Sequence, residues 1–444
     1  MTTLAPDWVQ TTRFRAYGPR QIDEIAARYG LTDEFRDSLR RISLVLPFRV
    51  NEYVLSQLVD WGNIPEDPVF QMVFPQRGMI TADDERLLAG LLDEGAPTAR
   101  IADAVRDIRA RLNPHPSGQK ELNVPRLDDV PLAGVQHKYR ETVLYFPANG
   151  QSCHAYCTYC FRWAQFVGDA DLRFAARDPG QLIAYLRRHP HVSDVLVTGG
   201  DPLVMSTNRL HDHVLPLLGV DTVRTVRVGT KSLAYWPQRF TTDKDADDVL
   251  RLFEEVVASG RTLAVMAHFS HPRELETDLA RRALARVRAT GALVYGQAPL
   301  IARVNDDART WTRLWRAELS AGVVPYYLFV ERDTGPHDYF KVRLARAVDI
   351  FHKAYRELPG LARTVRGPVM SATAGKVVVD GVEYTNRRKY FRLRLLQARN
   401  PSLVGRPFRA HYSDSAAWLD DLELDADTPA DIAAALLTAP TGGH

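Results

Sequence analysis

Apolar residues recur along the chain with two different periods. Up to about residue 115 they return every three to four positions, which predicts a run of amphipathic helices. The loop at residues 114–134 is rich in Pro and Gly, so it is expected to separate this run from the rest of the chain. The four predicted helices are QIDEIAARYG, EFRDSLRRISLVL, ADDERLLAGLLDEG and ARIADAVRDIRARLN.

From about residue 136, short β-branched or aromatic runs alternate with amphipathic stretches of helical length. Six strand-then-helix units predict a parallel sheet with helices outside it, either open or closed into a barrel. In such folds the chemistry lies at the C-terminal ends of the strands. The predicted strands are TVLYFP, VSDVLVTGG, TVRTVRVGT, TLAVMAHF, ALVYGQAPL and VVPYYLFV.

After about residue 335 the pattern predicts one more helix, then GPVMSATAGKVVVDGVEY, a basic stretch and an acidic tail. The basic stretch NRRKYFRLRLLQARN interleaves aromatics with cations, which could indicate RNA binding. A solvated face or a subunit contact is the favoured interpretation. We expect an α/β protein with a helical region at residues 1–135, a β/α region at 136–335 and a C-terminal region at 336–444.

Composition excludes several classes of protein. The 444 residues are 45% hydrophobic and 25% charged, with a net charge of +3, which gives no reason to expect a nucleic-acid or membrane partner. The first ten residues lack the layout of a signal peptide, and no apolar run approaches the length of a membrane span. We therefore expect a cytoplasmic protein.

The stretch QSCHAYCTYCFRW holds all three cysteines, Cys153, Cys157 and Cys160. A disulfide would leave one thiol over, and clustered cysteines in odd number are typical of a reducing compartment. Zinc would need a fourth ligand, for which His154 is poorly placed and His137 or a more distant histidine remains open. Three buried structural cysteines are another alternative. The pattern favours a four-iron cluster with one iron left for an external ligand.

The spacing C-x3-C-x2-C, with Tyr159 before the last cysteine, resembles the radical S-adenosylmethionine (SAM) superfamily. This resemblance implies a [4Fe-4S] cluster whose open iron is chelated by SAM. Electron transfer would then yield a 5′-deoxyadenosyl radical. It also implies a partial or full (β/α) barrel and a reducing electron donor of the flavodoxin or ferredoxin type.

The ordered motifs HKYRETVLYF, DVLVTGGDPLV, RVGTKSLAYWPQRF, HFSHPRELE, GQAPLIARVND and GPVMSATAGKVVV look like the lysine 2,3-aminomutase family. The similarity covers roughly residues 136–380. It implies a partial (β/α)6 radical-SAM barrel with an N-terminal helical region and a C-terminal extension. It also implies pyridoxal 5'-phosphate (PLP) beside SAM, a free amino acid substrate, migration of its amino group from the α- to the β-carbon, and a homo-oligomer.

Position by position, the resemblance assigns roles to several residues. Lys376 matches the lysine that binds PLP as an imine, and Arg162 matches the arginine that holds the substrate carboxylate. The predicted SAM contacts are Gly199, Gly200, Asp201, His268 and Gln297.

The sequence departs from the family in the substrate and phosphate positions. Where lysine-specific members carry two aspartates, this chain has Arg332 and Val369, which favours a substrate with an acidic side chain. A gap in the alignment would instead bring Asp333 into the first position. Thr142 replaces the phosphate-binding arginine, so Arg140 is predicted to hold the PLP phosphate.

The leading hypothesis is therefore a radical SAM, PLP-dependent amino acid 2,3-aminomutase whose substrate is not lysine. Within enzymes, the alternative is a family member with different radical chemistry and without PLP. From another class, the alternative is a non-catalytic iron–sulfur or zinc protein.

Overall fold

A computed structural model describes residues 13–114, 122–168 and 173–437. The first ten residues, on which the expectation of no signal peptide rests, lie outside the described residues, as do residues 115–121 of the predicted loop.

The N-terminal region is helical, as predicted, and each of the four predicted helices forms within a few residues of its expected bounds. The short helix Pro68–Val73 and the π-helical turn Val54–Leu58 were not predicted. The helices bury their apolar stripes in the main core, where Leu39, Ile42 and Leu88 are fully buried. The elements are β1 (Ala16–Tyr17), α1 (Ile22–Tyr29), α2 (Asp33–Val45), β2 (Val50–Asn51), α3 (Pro68–Val73), α4 (Ala82–Asp93) and α5 (Thr98–Leu112).

An eleven-stranded sheet comes next, and its strand order in space is the same as the order along the chain. Before it, β3 (Arg126–Leu127) and β4 (Val130–Pro131) form a small hairpin within the predicted loop. The sheet consists of β5 (Val135–Tyr139), β6 (Thr142–Tyr145), β7 (Asp194–Val197), β8 (Thr225–Thr230), β9 (Thr262–His268), β10 (Leu293–Leu300), β11 (Val324–Val330), β12 (Arg366–Ala372), β13 (Gly375–Thr385), β14 (Arg388–Ala398) and β15 (Pro407–His411).

Strands β6 to β12 pair in parallel, which confirms the six predicted parallel strands and adds β12. Strand β5 is antiparallel at one edge, and β13 to β15 are antiparallel at the other. The basic stretch, interpreted as a solvated face or subunit contact, forms β14 and pairs with strands on both sides. The α/β class is confirmed.

Helices cover one face of the sheet and leave polar residues on the other. In β10, Val294 and Ala298 are buried in the main core with Trp311 and Trp315 of a covering helix, while Gln297 is half-buried on the opposite face. None of the helices in the described ranges is long and apolar enough to cross a membrane. The helices are α6 (Gly180–Arg188), α7 (Thr207–Leu218), α8 (Ser232–Tyr235), α9 (Ala246–Ala258), α10 (Asp278–Ala289), α11 (Ala308–Ser320), α12 (His337–Phe340), α13 (Leu344–Arg356) and α14 (Ala430–Leu437).

The sheet curves until its first strand reaches its last ones. The backbone N–H of Arg140 donates to the Ala398 carbonyl at 3.4 Å, and Lys138 Nζ donates to the Ser371 carbonyl at 3.1 Å. Strand β5 therefore contacts the ends of β12 and β14, although no strand ladder joins them among the described residues. As a result, residues of β5 lie near residues of the antiparallel extension.

The loop after β7 packs directly on the loop that carries the cysteines. The backbone N–H groups of Gly200 and Asp201 both donate to the Gly150 carbonyl at 3.1 Å, and Asp201 also donates to Ser152 at 2.7 Å. A Cβ atom at Gly200 would lie 2.4 Å from the Ser152 carbonyl oxygen. Only glycine allows so close an approach between the two backbones.

We expect Gly200→Ala to lower the thermal unfolding midpoint, because the added methyl group would push the cysteine loop away at a cost of about 1–3 kcal/mol. Gly90→Ala is the matched control. Gly90 lies inside helix α4, where an added Cβ meets nothing within 4 Å, so this change should maintain or raise the midpoint. Equal midpoints for Gly200→Ala and the wild type would show that the two loops do not depend on this contact.

Candidate functional site

The predicted site residues collect at the C-terminal ends of the parallel strands. The cysteine loop follows β6, and Gly199 and Gly200 follow β7. His268 is the last residue of β9, and Gln297 is its register partner on β10. Parallel strands present their C-terminal ends at one edge of a sheet, which is where α/β proteins bind ligands. The structure thus places the cysteines, Gly199 and Gly200 on neighbouring loops, and His268 beside Gln297 on two adjacent strands.

Cys153, Cys157 and Cys160 are free, half-buried thiols. Burial, then the charge of Asp201 and the other two cysteines, raise the pKa of Cys153 well above its ordinary value. Burial and then Cys157 raise the pKa of Cys160 to about 12. Within the described ranges, no group of three or more His, Cys, Asp or Glu residues has the arrangement of a metal site. Three sulfur donors on one loop nevertheless fit an iron–sulfur cluster chemically, because a bound cation deprotonates its thiol ligands.

Both ring nitrogens of His137 make hydrogen bonds in this structure. Its Nδ1 lies 2.6 Å from the Tyr185 hydroxyl, and its Nε2 lies 3.1 Å from the Arg140 carbonyl. His154, inside the cysteine motif, has Nδ1 at 3.1 Å from the Ser232 hydroxyl. These contacts do not favour either histidine as a fourth zinc ligand, and the zinc alternative stays a hypothesis.

Tyr159 connects the cysteine loop to the end of β9. Its hydroxyl lies 2.9 Å from the Ser270 hydroxyl and 3.4 Å from Nε2 of His268, and the Ser270 hydroxyl lies 3.0 Å from the same nitrogen. Burial, and then the charge of Lys231, lower the pKa of His268 well below its ordinary value. His268 is therefore a neutral hydrogen-bonding group at neutral pH.

Asp201 is engaged with the protein itself. Its carboxylate accepts hydrogen bonds from the hydroxyl of Thr230 at 2.8 Å and from the backbone N–H of Lys231 at 2.9 Å. The backbone N–H of Leu203 and the hydroxyl of Ser232 donate to it as well, at 3.0 Å and 3.1 Å. In this arrangement the side chain holds the loops after β7 and β8 together, and its predicted contact with SAM stays a prediction.

Arg162 is buried next to the cysteine loop and keeps one unpaired donor. Its guanidinium carbon lies 4.2 Å from the centre of the Phe146 ring, and Nη2 donates to Gln151 at 3.1 Å. Its Nε atom is buried with no hydrogen-bond partner among the described residues. Burial lowers the pKa of Arg162 to about 10, so it remains a cation at neutral pH. A buried, partly unpaired guanidinium fits a carboxylate ligand.

Lys376 lies on β13 among aromatic rings. Its Nζ donates to Gln397 at 2.9 Å and lies 4.5 Å from the ring centre of Tyr327 and 5.0 Å from that of Tyr139. Burial, followed by the charges of Arg227 and Arg366, lowers the pKa of Lys376 to about 7. At neutral pH a large fraction of the amine is uncharged, which is the form that attacks an aldehyde.

Lys138 is a half-buried basic side chain close enough to Arg332 and Lys376 for both of them to affect its pKa. The Arg332 guanidinium carbon lies 5.8 Å from the Phe161 ring centre and 5.7 Å from that of Trp418. In the part of the chain that the structure describes, no group accepts a hydrogen bond from this guanidinium. Burial lowers the pKa of Arg332, and Asp333 and other anionic groups oppose this shift. Burial also lowers the pKa of Lys138, and there Arg332 and Lys376 lower it further.

The predicted phosphate contact at Arg140 is not supported by its placement. Strand β5 ends at Tyr139 and β6 begins at Thr142, so Arg140 lies in the turn between them. Its side chain is half exposed and lies 3.7 Å from Glu141. The side chain of Lys138, which precedes the turn, donates instead to Ser371, the register partner of Lys376. Val369, the second altered position, is buried beside Tyr327 and leaves an apolar wall there.

Sequence reasoning missed one buried ion pair in the site. Lys231 follows β8 directly, and its Nζ lies 2.6 Å from the carboxylate of Glu274, which follows β9. Both residues stand within motifs that carry the family resemblance, RVGTK and HPRELE. Their positions after consecutive parallel strands could have identified them as neighbours.

No protein-family model matches the chain. A protein of Aquifex aeolicus (strain VF5) that carries the name "Putative L-lysine 2,3-aminomutase" is 32% identical over 392 residues, which is 88% of this chain and 91% of that protein. The L-lysine 2,3-aminomutase of Clostridium subterminale is 28% identical over 344 residues, covering 78% of this chain and 70% of the relative. That of Acetoanaerobium sticklandii is 25% identical over 344 residues, covering 78% and 71%.

The identity of 32% over 88% of this chain and 91% of the Aquifex aeolicus protein shows that the chain belongs to the lysine 2,3-aminomutase family.

Proposed function

We propose that this protein is a radical SAM, PLP-dependent 2,3-aminomutase that acts on an amino acid with an acidic side chain. The observation that carries the proposal is Lys376, whose pKa of about 7 suits a bound aldehyde cofactor. Lys376 and Arg332 both affect the pKa of Lys138, so all three basic groups border the region where an anionic substrate would bind. In this proposal the six β/α units are the partial radical-SAM barrel.

Cys153, Cys157 and Cys160 would hold a [4Fe-4S] cluster, with SAM on the open iron. When bound, these two groups supply a 5′-deoxyadenosyl radical after reduction by a flavodoxin- or ferredoxin-type donor. The contribution of the protein is to position side chains around these groups. Tyr159 and Ser270, for example, hold the ring of His268 at the end of β9. Three unpaired thiols suit the reducing cytoplasm, where we place the protein.

Lys376 would hold PLP as an imine, and the amine of Lys138 would face its phosphate. When bound, PLP carries the migrating nitrogen. The chain contributes an uncharged amine at neutral pH and a wall of aromatic rings from Tyr139 and Tyr327 that excludes water. Self-association into a homo-oligomer is also part of this proposal.

Two arginines would bind the two carboxylates of the substrate. Arg162 has an unpaired Nε for the α-carboxylate, and Arg332 offers a guanidinium without an acceptor to the side-chain carboxylate. The ammonium group of a lysine side chain would instead lie next to the Arg332 cation and the apolar Val369. Losing hydration without gaining an anion costs several kcal/mol.

We predict that Cys153→Ala, Cys157→Ala and Cys160→Ala each abolish the reductive cleavage of SAM. No fourth cysteine exists to replace a lost ligand, so the iron content should fall as well. The measurements are iron analysis and 5′-deoxyadenosine formation after anaerobic reconstitution. Formation of 5′-deoxyadenosine in all three variants would contradict the assignment of the cysteines as cluster ligands.

A second prediction concerns the pH dependence of PLP capture. Below pH 7 the Lys376 amine is protonated and cannot attack the aldehyde, whereas above pH 7 it is neutral. The amount of PLP trapped by borohydride should therefore reach half its maximum near pH 7 and stay constant at higher pH. At an ordinary lysine, with a pKa of about 10.4, the trapped amount would instead continue to increase with pH. Peptide mapping should place the label on Lys376.

Two variants control this experiment. Lys376→Met should lose the label, and Lys389→Met, on the exposed end of β14, should retain it. Label on another lysine would contradict the assignment of Lys376. A protein that binds the cluster but takes up no PLP would favour the alternative of radical chemistry without PLP.

A third prediction concerns substrate choice. Glutamate or aspartate should outcompete lysine by about two orders of magnitude, since about 1.4 kcal/mol corresponds to a tenfold change. The assay is competition of labelled amino acids on the reconstituted enzyme, with β-amino products identified by mass spectrometry. Arg332→Asp should weaken the preference for the acidic substrate. Efficient turnover of lysine by the wild type would show instead that Asp333 occupies the substrate pocket.

A further inference from the structure

The ion pair of Lys231 and Glu274 is buried beside the cysteine loop, and the proposed function leaves it without a role. Its side chains are only 10% and 0% exposed, so water and salt screen these charges little. A buried ion pair is weak evidence for stability, because desolvation offsets most of the attraction between the charges. Stability therefore does not account for this pair at this position.

Hydrogen bonds hold both charges in place. The backbone N–H of Lys231 donates to Asp201 at 2.9 Å, its Nζ donates to the His268 carbonyl at 3.3 Å, and Nζ also lies 4.5 Å from the Tyr235 ring centre. The Glu274 carboxylate accepts from the backbone N–H groups of Ser270 at 2.5 Å and His271 at 3.0 Å. Lys231 thus touches the loops after β7, β8 and β9.

Both charges are linked to the cysteine loop by hydrogen bonds. Asp201, which accepts from the backbone N–H of Lys231, donates its own N–H to the carbonyl of Ser152, next to Cys153. Ser270, whose N–H donates to Glu274, forms a hydrogen bond of 2.9 Å with the hydroxyl of Tyr159, between Cys157 and Cys160. The ion pair is therefore part of the surroundings of the three thiols.

We propose that Lys231, held in place by Glu274, favours reduction of the cluster bound by Cys153, Cys157 and Cys160 through the charge of its side chain. The inference rests on the proposed function. In this reduction one electron passes from the external donor to the cluster, no bond forms or breaks, and the charge of the cluster falls by one. A nearby cation stabilises the more negative state, and net charge is one of the factors that set the potentials of such clusters.

The test is the midpoint potential of the cluster in the anaerobically reconstituted full-length protein, measured by a redox titration followed by electron paramagnetic resonance. Lys231→Met should make the potential more negative, and Glu274→Gln should make it more positive. Lys231→Arg keeps the charge and should stay close to the wild type. Opposite shifts from the two partners distinguish an electrostatic role from a structural one, since structural damage has no reason to change sign.

The double variant Lys231→Met/Glu274→Gln leaves no unpaired buried charge, so it keeps the test decisive if a single variant does not fold. Its potential should be more negative than that of Glu274→Gln and more positive than that of Lys231→Met, so a comparison with either single variant tests the sign of the effect. Arg41→Met is the matched control: it removes a cation from the pair with Glu85 in the N-terminal helices and should leave the potential unchanged.

Shifts of the same sign in Lys231→Met and Glu274→Gln, or no shift in either, would overturn this inference while leaving the cluster assignment intact. A wild-type protein that binds no cluster would overturn the proposed function and the inference together.

Discussion

The hydrogen bonds around Asp201 are the interaction on which the rest of the site depends. Its backbone N–H binds the carbonyls of Gly150 and Ser152, and its carboxylate binds Thr230 and Lys231. One residue therefore joins the loops after three successive parallel strands. Since the cysteines begin directly after Ser152, their position relative to the sheet is set by these bonds. The same bonds place Lys231, and through it the end of β9.

Charge is the second constraint. The interior holds Lys138, Arg332 and Lys376, and the charges of Arg332 and Lys376 add to burial in lowering the pKa of Lys138. Burying like charges together is costly unless a ligand compensates for them. Anionic ligands, such as a phosphate and a carboxylate, would relieve this repulsion. The pKa of about 7 for Lys376 has a related origin, since burial and then the charges of Arg227 and Arg366 lower it.

The hydrophobic pattern predicted the parallel part of the fold well, because each strand is a buried apolar run and each helix has a clear apolar stripe. It did not predict β13 to β15. There the strands carry Arg392 and Arg394 amid buried apolar residues, and this mixture resembles a solvated basic stretch. The site residues on loops were found through motifs, and the phosphate role of Arg140, which lies in the turn after the strand that carries Lys138, stays a prediction. Contacts such as Lys231 with Glu274 depend on register, which periodicity does not contain.

The placement of Lys376 explains why the antiparallel extension belongs to the site. The thiols lie on loops of the parallel strands, but the lysine is on β13, beyond the last parallel strand. Curvature closes the gap: Lys138 of β5 bonds to Ser371, which is the register partner of Lys376. The distance between the two halves of the site therefore depends on how far the sheet curves. A flatter sheet with the same strands would keep all of these residues and still separate the lysine from Lys138 and Tyr139.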